Sequence, residues 1–542
     1  MKRAFVNGKI FTSDISGAES LYAEALLCDG GRILFAGAEK DLPAGEYPRI
    51  DLGGRTVIPG FVDAHMHPVM LADFSRQIAC LPPKVNSIQE LIQEIARVRS
   101  EKPEGDWIKG WGYDEGKFAE HRSPNRYDLD KGSSDFPVFL TRSCEHIRCV
   151  NSKALELAGI TRDTPDPQGG EIERDEHGEP TGVLKENARD LVLPFMPPET
   201  KESTVASLID LGDLLTSQGI VAVTDMGNLH EGGNYEFYEE AVKRGFRQRV
   251  SLYYMWDYFM DDPLFDITPE LMDRNRQIRI AGLKLIGDGS ISGKTAWLSE
   301  PYLGTEECGF PVYSDESMER ALEFCKRTGC QLSVHAMGGR AIDRVIDRVY
   351  PEKDWTDGKV PCLRVEHLTE PSDRAVARAA ERGFGFASQP IFEYCEIETY
   401  KSNMDPERLR HIYPHRTMLD RGVKLCLSTD APATSWAVPS DPFSNLKSAV
   451  TRYACDGTDI GQDERLDIET AMILYTKESA EVSGFAGLGV LKPGYAADFA
   501  VLSDDLFTVD PMKIDEVRVE ETYIGGERVY CREDLRAQNQ YR

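Results

Sequence analysis

The stretch Pro59-Gly60-Phe61-Val62-Asp63-Ala64-His65-Met66-His67 decides how the rest of the chain is read. An apolar strand, Val57–Val62, runs into a His-x-His pair. Side chains alternate along a strand, so His65 and His67 point to the same side. Two imidazoles at the C-terminal end of one strand can chelate a single divalent metal. Ten histidines in 542 residues would give only about 0.2 such pairs by chance, so the pair is a signal. The plainer alternative is a surface histidine pair beside Asp63.

Working outward, further β-branched runs stand at Val221–Asp225, Val250–Tyr254, Ala281–Ile286, Gln331–Val334, Leu363–Glu366, Gly385–Ser388 and Lys424–Ser428. Helical patterns separate them. Eight strands alternating with helices predict an α/β fold, a TIM (β/α)8 barrel. The first strand and the second are about 160 residues apart, far too many for one βα connection. Residues 71–200 are therefore expected to be a large insertion after barrel strand 1, capping the active-site face. It holds a helical pattern, Ile88–Val98, the segment Trp107–Tyr113 and a turn at Gly169-Gly170.

Both ends read as short strands. They are Ala4–Phe11, Ala25–Cys28, Arg32–Ala36 and Thr56–Ile58, with a hairpin signal at Asp29-Gly30-Gly31. Near the other end come Asp498–Leu502, Val517–Glu520, Thr522–Ile524 and Val529–Cys531. The expected division is a small β-sandwich domain from residues 1–58 and 482–542, and a barrel domain over 59–481.

Lys+Arg is 63 against Asp+Glu 91, a formal net charge of −28, which excludes nucleic acid and anionic lipid as default partners. Apolar residues make up 41%, enough for a large core. No apolar run reaches a membrane span, and the first residues do not read as a signal peptide. A cytoplasmic location is the expectation. The twelve cysteines contain no Cys-x-x-Cys; they are expected to be reduced and mostly buried.

More candidate residues occupy strand ends. His335 follows Val334, His367 follows Glu366, and Asp430 follows Thr429. Any one histidine is ordinarily a satisfied polar residue, but this many at strand ends form a joint pattern. Lys284 lies inside the strand Ala281–Ile286, where a charged amine is costly unless paired. It either pairs with a neighbour such as Asp288 or reacts with carbon dioxide to give an anionic carbamate ligand.

With these residues in place, the chain resembles the amidohydrolase superfamily of metal-dependent hydrolases, and within it the amidohydrolase-3 branch. The likeness runs through Gly53–His67, Lys284 with Asp288-Gly289-Ser290, and His335-Ala336-Met337-Gly338. It continues in Arg364-Val365-Glu366-His367, Ser428–Pro432 and Leu491–Phe499. It implies a distorted barrel with a small sandwich made by both ends, and a possible homodimer. His65, His67 and Asp430 would ligate a first metal, and His335 and His367 a second. A carboxylated Lys284 would bridge them. The metal would be divalent, zinc first, as one or two ions.

The branch is similar to N-substituted formamide deformylases, which implies a small-molecule substrate and hydrolysis of an amide-type C–N bond. Asp430 would move the proton, and His146, in Glu145–Ser152, would assist at the substrate carbonyl. Trp111, Asp288, Gln389 and Trp436 are further pocket candidates, with insertion core the alternative for Trp111. A deaminase is a rival on the same scaffold. Such enzymes often carry glutamate three residues after the histidine of strand five, where this chain has Gly338. A lactone or ester hydrolase is a second rival. A non-catalytic binding protein would be expected to lack ligands, and all six positions are filled.

Overall fold

The computed structural model describes residues 2–16, 21–103, 105–143, 147–227 and 233–533. The chain divides into two compact units. One comprises residues 1–68, 208–434 and 440–542; the other comprises 69–207 and 435–439.

The first unit contains an eight-stranded sheet. Its strands are β1 (Phe61–Met66), β2 (Ile220–Asp225), β3 (Arg249–Met255) and β4 (Ile278–Ile286), then β5 (Gln331–Ala336), β6 (Leu363–His367), β7 (Gly385–Ser388) and β8 (Lys424–Leu427). Every adjacent pair from β1 to β8 is parallel. Parallel strands are covered on both faces, which is why these segments read as apolar runs rather than alternating ones. The sheet curls into a nearly closed barrel. Just beyond β8, Asp430 N donates to His65 O (2.7 Å) and His67 N donates to Ala431 O (2.8 Å), joining the last strand to the first.

The helices between strands start and stop where their sequences direct. Ser314 and Ser372 accept main-chain N–H bonds at the N-termini of helices Asp315–Thr328 and Asp373–Arg382. Gly329 and Gly383 end the same helices in the left-handed conformation.

The expected single strand Val57–Val62 is in fact two. Thr56–Pro59 belongs to an end sheet and Phe61–Met66 to the barrel. Gly60 makes the transfer, because a Cβ there would lie 2.4 Å from Val221 Cγ1. Ala4–Phe11 likewise breaks at Asn7, where φ is +56°. Val517–Glu520 and Thr522–Ile524 instead merge into one strand, Val519–Ile524.

Strands from both ends interleave in a six-stranded sheet that includes Lys9–Phe11, Thr56–Pro59, Phe499–Leu502 and Val519–Ile524. A four-stranded sheet holds Arg3–Val6, Ala25–Asp29, Arg32–Gly37 and Arg49–Asp51. Phe5, Ile10, Leu26, Val57, Phe499 and Tyr523 form a shared core. The hairpin closes where Asp29 pairs with Arg32, with Gly30 and Gly31 at positive φ.

The second unit has its own mixed six-stranded sheet, in which Val138–Arg142 and Ile147–Val150 are central. Helix Ile88–Glu101, capped by Ser87, buries Ile88, Leu91 and Ile95 in a core with Leu129 and Val138. Trp111 stacks on Phe74 at 4.9 Å and packs with Leu81, which is the core role weighed for it above. Trp436 also belongs to this unit.

Among the described residues, no helix is long and apolar enough to cross a membrane. The eleven described cysteines form no disulfide, and nine are buried.

Candidate metal centre

The C-terminal ends of β1 and β8 bring three ligand atoms together. One atom each from His65, His67 and Asp430 lies within 4.8 Å of the others. Asp430 Oδ1 is 3.2 Å from His65 Nε2 and 3.3 Å from His67 Nε2. Ligands at 2.0–2.1 Å from one tetrahedral ion sit roughly 3.4 Å apart, so these spacings suit a single divalent cation.

The other face of each ring is held. His65 Nδ1 bonds to Glu366 Oε2 at 2.7 Å, and His67 Nδ1 bonds to the Gly227 carbonyl at 2.9 Å. Those partners leave both Nε2 atoms turned toward Asp430. Asp225 braces the Gly227 turn by accepting its N–H (2.8 Å). Burial would raise Asp430, but the surrounding imidazoles, His65 first, hold it well below the usual carboxylate range. Asp63 packs beneath, buried and pushed up to about 6 by that burial. It accepts from His65 N, Thr429 Oγ1 and Tyr475 OH.

Beside this set lie Lys284 on β4, His335 on β5 and His367 on β6. The rings of His335 and His367 are 4.3 Å apart by centroid, and that of His65 is 4.9 Å from His367. His367 Nδ1 bonds to Gln389 Oε1 (2.8 Å), which frees Nε2. His335 Nε2 bonds to the Gly289 carbonyl (2.9 Å), which leaves Nδ1. Burial keeps both imidazoles neutral at ordinary pH, with His335 lowered to about 4.

Burial also pushes Lys284 down to about 8, against the pull of Glu366 and Asp430. Among the described residues, Lys284 Nζ, His367 Nε2 and Asp430 Oδ1 are all buried without a hydrogen-bond partner. Orphaned polar atoms at that depth are costly unless something binds them. The donor set of imidazole, carboxylate and a neutralisable amine fits one or two divalent cations.

Two of the candidate ligands adopt strained backbone. His367 has φ +79° and Asp430 has φ +57°. In a regular strand, neighbouring residues face opposite ways. The left-handed turn lets Glu366 and His367 both serve the centre, and likewise Thr429 and Asp430. Such conformations cost on the order of 1–3 kcal/mol and cluster at functional sites.

Several expectations need correction. Lys284 does not pair with Asp288. The Asp288 carboxylate instead accepts from the main chain of Trp297, Met337 and Gly338 at 2.8–2.9 Å. It anchors the loop after β4 to the turn after β5. Gln389 is fully buried between His367 and Ser428 Oγ (2.8 Å), so it orients a histidine rather than lining a pocket. His146 falls outside the described residues.

The sequence reading passed over Glu366 as a site residue, although it quoted the motif containing it. The missed signal was two charges, Arg364 and Glu366, spaced to share one face of a buried strand.

A parallel barrel with a His-His-Asp cluster at its strand ends defines the class of metal-dependent barrel hydrolases. The amidohydrolase-3 profile, described as "Amidohydrolase family", matches residues 49–530, and the chain belongs to that family. It is a hydrolase acting on C–N bonds other than peptide bonds.

The chain is 28% identical to the N-substituted formamide deformylase of Arthrobacter pascens, over 96% of this chain and 97% of that one. It is also 28% identical to the protein YtcJ of Bacillus subtilis (strain 168), over 98% and 99%. The crystal structure of an uncharacterized metal-dependent hydrolase from Pyrococcus horikoshii OT3 is similar with a TM-score of 0.71 and 26% identity. That match covers 94% of this chain and 99% of the other.

Proposed function

We propose that the protein hydrolyses an amide-type C–N bond of a small N-substituted formamide or N-acyl compound. The centre would hold zinc at His65, His67 and Asp430. The observation that carries this reading is the approach of both Nε2 atoms to one Asp430 oxygen, at 3.2 and 3.3 Å. The substrate class is supported by the likeness to a formamide deformylase. The unpartnered Lys284 amine supports its conversion to a carbamate, with His335 and His367 beside it for a second ion.

A divalent cation bound there would act as a Lewis acid, bringing a water's pKa towards ~7 and polarising a carbonyl. The chain's own residues do the rest. Asp430, held ionised, accepts a proton from the attacking water as the C–O bond forms. It returns that proton to the nitrogen as the C–N bond breaks, releasing carboxylic acid and amine, which exchange the remaining proton to leave as carboxylate and ammonium. Glu366 and Gly227 hold the two imidazoles of β1 in one tautomer.

The rival deaminase reading loses its glutamate on steric grounds. A Cβ at Gly338 would lie 2.2 Å from the Trp297 carbonyl oxygen, so no side chain fits.

The test is metal analysis of the purified protein, then chelation and reconstitution against a panel of formamides, N-acyl amino acids and cyclic amides. Zinc-dependent release of amine from one of these classes is expected. Turnover that persists after complete metal removal would overturn the reading.

A further inference from the structure

Arg364 and Glu366 lie two residues apart on β6 and neither is exposed. Both reach residues of other barrel strands, Ala64, Ser333 and Tyr253, and so face the barrel interior, where a charge is tolerated only if paired and saturated. Arg364 Nε and Nη2 donate to Glu366 at 2.5 and 3.0 Å, and Nη2 also donates to the Ala64 carbonyl on β1 at 2.6 Å. Glu366 accepts in addition from Ser333 Oγ on β5 (2.7 Å) and from His65 Nδ1 (2.7 Å). The guanidinium rests over the Tyr253 ring on β3 at 5.4 Å. One ion pair thus ties four barrel strands together, and one of its ends is the back of His65.

The three ligand histidines with a bonded Nδ1 are treated unequally. His67 meets a main-chain carbonyl and His367 an amide, whereas His65 meets an ionised carboxylate. A charge-assisted bond is stronger, and a carboxylate partner makes the opposite nitrogen a better donor to metal. A carboxylate pinned by arginine cannot donate, so His65 Nδ1 must carry the proton and Nε2 the lone pair. Packing alone does not call for this pair, since apolar side chains of similar volume commonly replace buried ion pairs at no loss of stability.

We propose that Arg364 and Glu366 are positioning residues for the metal, fixing the tautomer and aim of His65 from across the barrel. The inference rests on the reading of His65, His67 and Asp430 as a metal site.

The experiment measures zinc affinity by chelator competition, and thermal unfolding of the metal-free protein, for wild type, Glu366→Gln and the double variant Arg364→Met/Glu366→Gln. The double variant removes both charges but leaves an amide acceptor behind His65, so it stays folded if the single variant does not. The expected result is zinc binding weakened by about 10- to 100-fold in Glu366→Gln. In the double variant it is weakened by about tenfold, with metal-free unfolding close to wild type. Variants that fold and bind zinc as tightly as wild type would overturn the inference alone. A wild-type chain that binds no divalent cation would overturn the metal reading itself, and this inference with it.

Discussion

The two halves of the centre are built differently. On the β1–β8 side, His65 and His67 have their rear nitrogens bonded and their front nitrogens aimed at one Asp430 oxygen. On the β4–β6 side, His335 spends Nε2 on the Gly289 carbonyl, and Lys284 ends in a buried amine with no hydrogen-bond partner among the described residues. The first half already has the spacing of a metal-ligand set. On the proposed reading, the second would match it only after Lys284 is converted to a carbamate. The difference teaches that affinity should reside in the first half, while the second should be conditional on carbon dioxide.

The largest effect that would break this contrast is expected at Asp430. Asp430→Asn should lower kcat by about 10⁴-fold, the upper range for a positioned acid–base group, with metal-free unfolding little changed. Steady-state kinetics beside a thermal melt checks it, and near-wild-type turnover would remove Asp430 from the reaction. Next comes Lys284→Met. It should lose the second equivalent of metal but keep the first, and lower kcat on the order of 10²–10³-fold, as removal of one preorganised charge does. Metal stoichiometry reads this directly; unchanged stoichiometry would erase the distinction between the halves.

Gln389→Ala should act only on the second half, weakening that equivalent by about tenfold through a freed His367 ring. A chelator titration that showed both equivalents weakened alike would contradict it. The smallest effect on the centre is expected from the separate unit. Leu129→Ala, in the core with Ile95 and Val138, should cost about 2–5 kcal/mol of that unit's stability. Denaturant unfolding would register the loss, while metal stoichiometry should stay at the wild-type value.

The first half was legible in the sequence and the second only partly so. Strand alternation places His65 and His67 on one side, and Thr429-Asp430 announces itself by following an apolar strand. Those signals are local. What holds the rings is not local, since Glu366 is 301 residues from His65 and Gly227 is 160 from His67. Asp288 and Gln389 show the limit from the other side. Each stands close to the centre in sequence pattern, yet main-chain donors saturate one and His367 and Ser428 saturate the other. Nothing in composition or spacing separates a polar side chain that faces substrate from one that braces a neighbour. The backbone at His367 and Asp430 was equally hidden, because a left-handed turn in a non-glycine residue is imposed by tertiary packing. Most barrel-strand boundaries were legible to within a residue or two, but the breaks at Gly60 and Asn7 and the early start of the fourth barrel strand at Ile278 were not, because close approaches such as that of Gly60 to Val221 decide them.

The most direct test of the central claim is anomalous X-ray diffraction at the zinc edge from crystals of the zinc-loaded protein. The account predicts a peak at about 2.0–2.2 Å from His65 Nε2, His67 Nε2 and an Asp430 carboxylate oxygen. A catalytically active crystal form with no peak at those three atoms, or with its metal elsewhere, would contradict it.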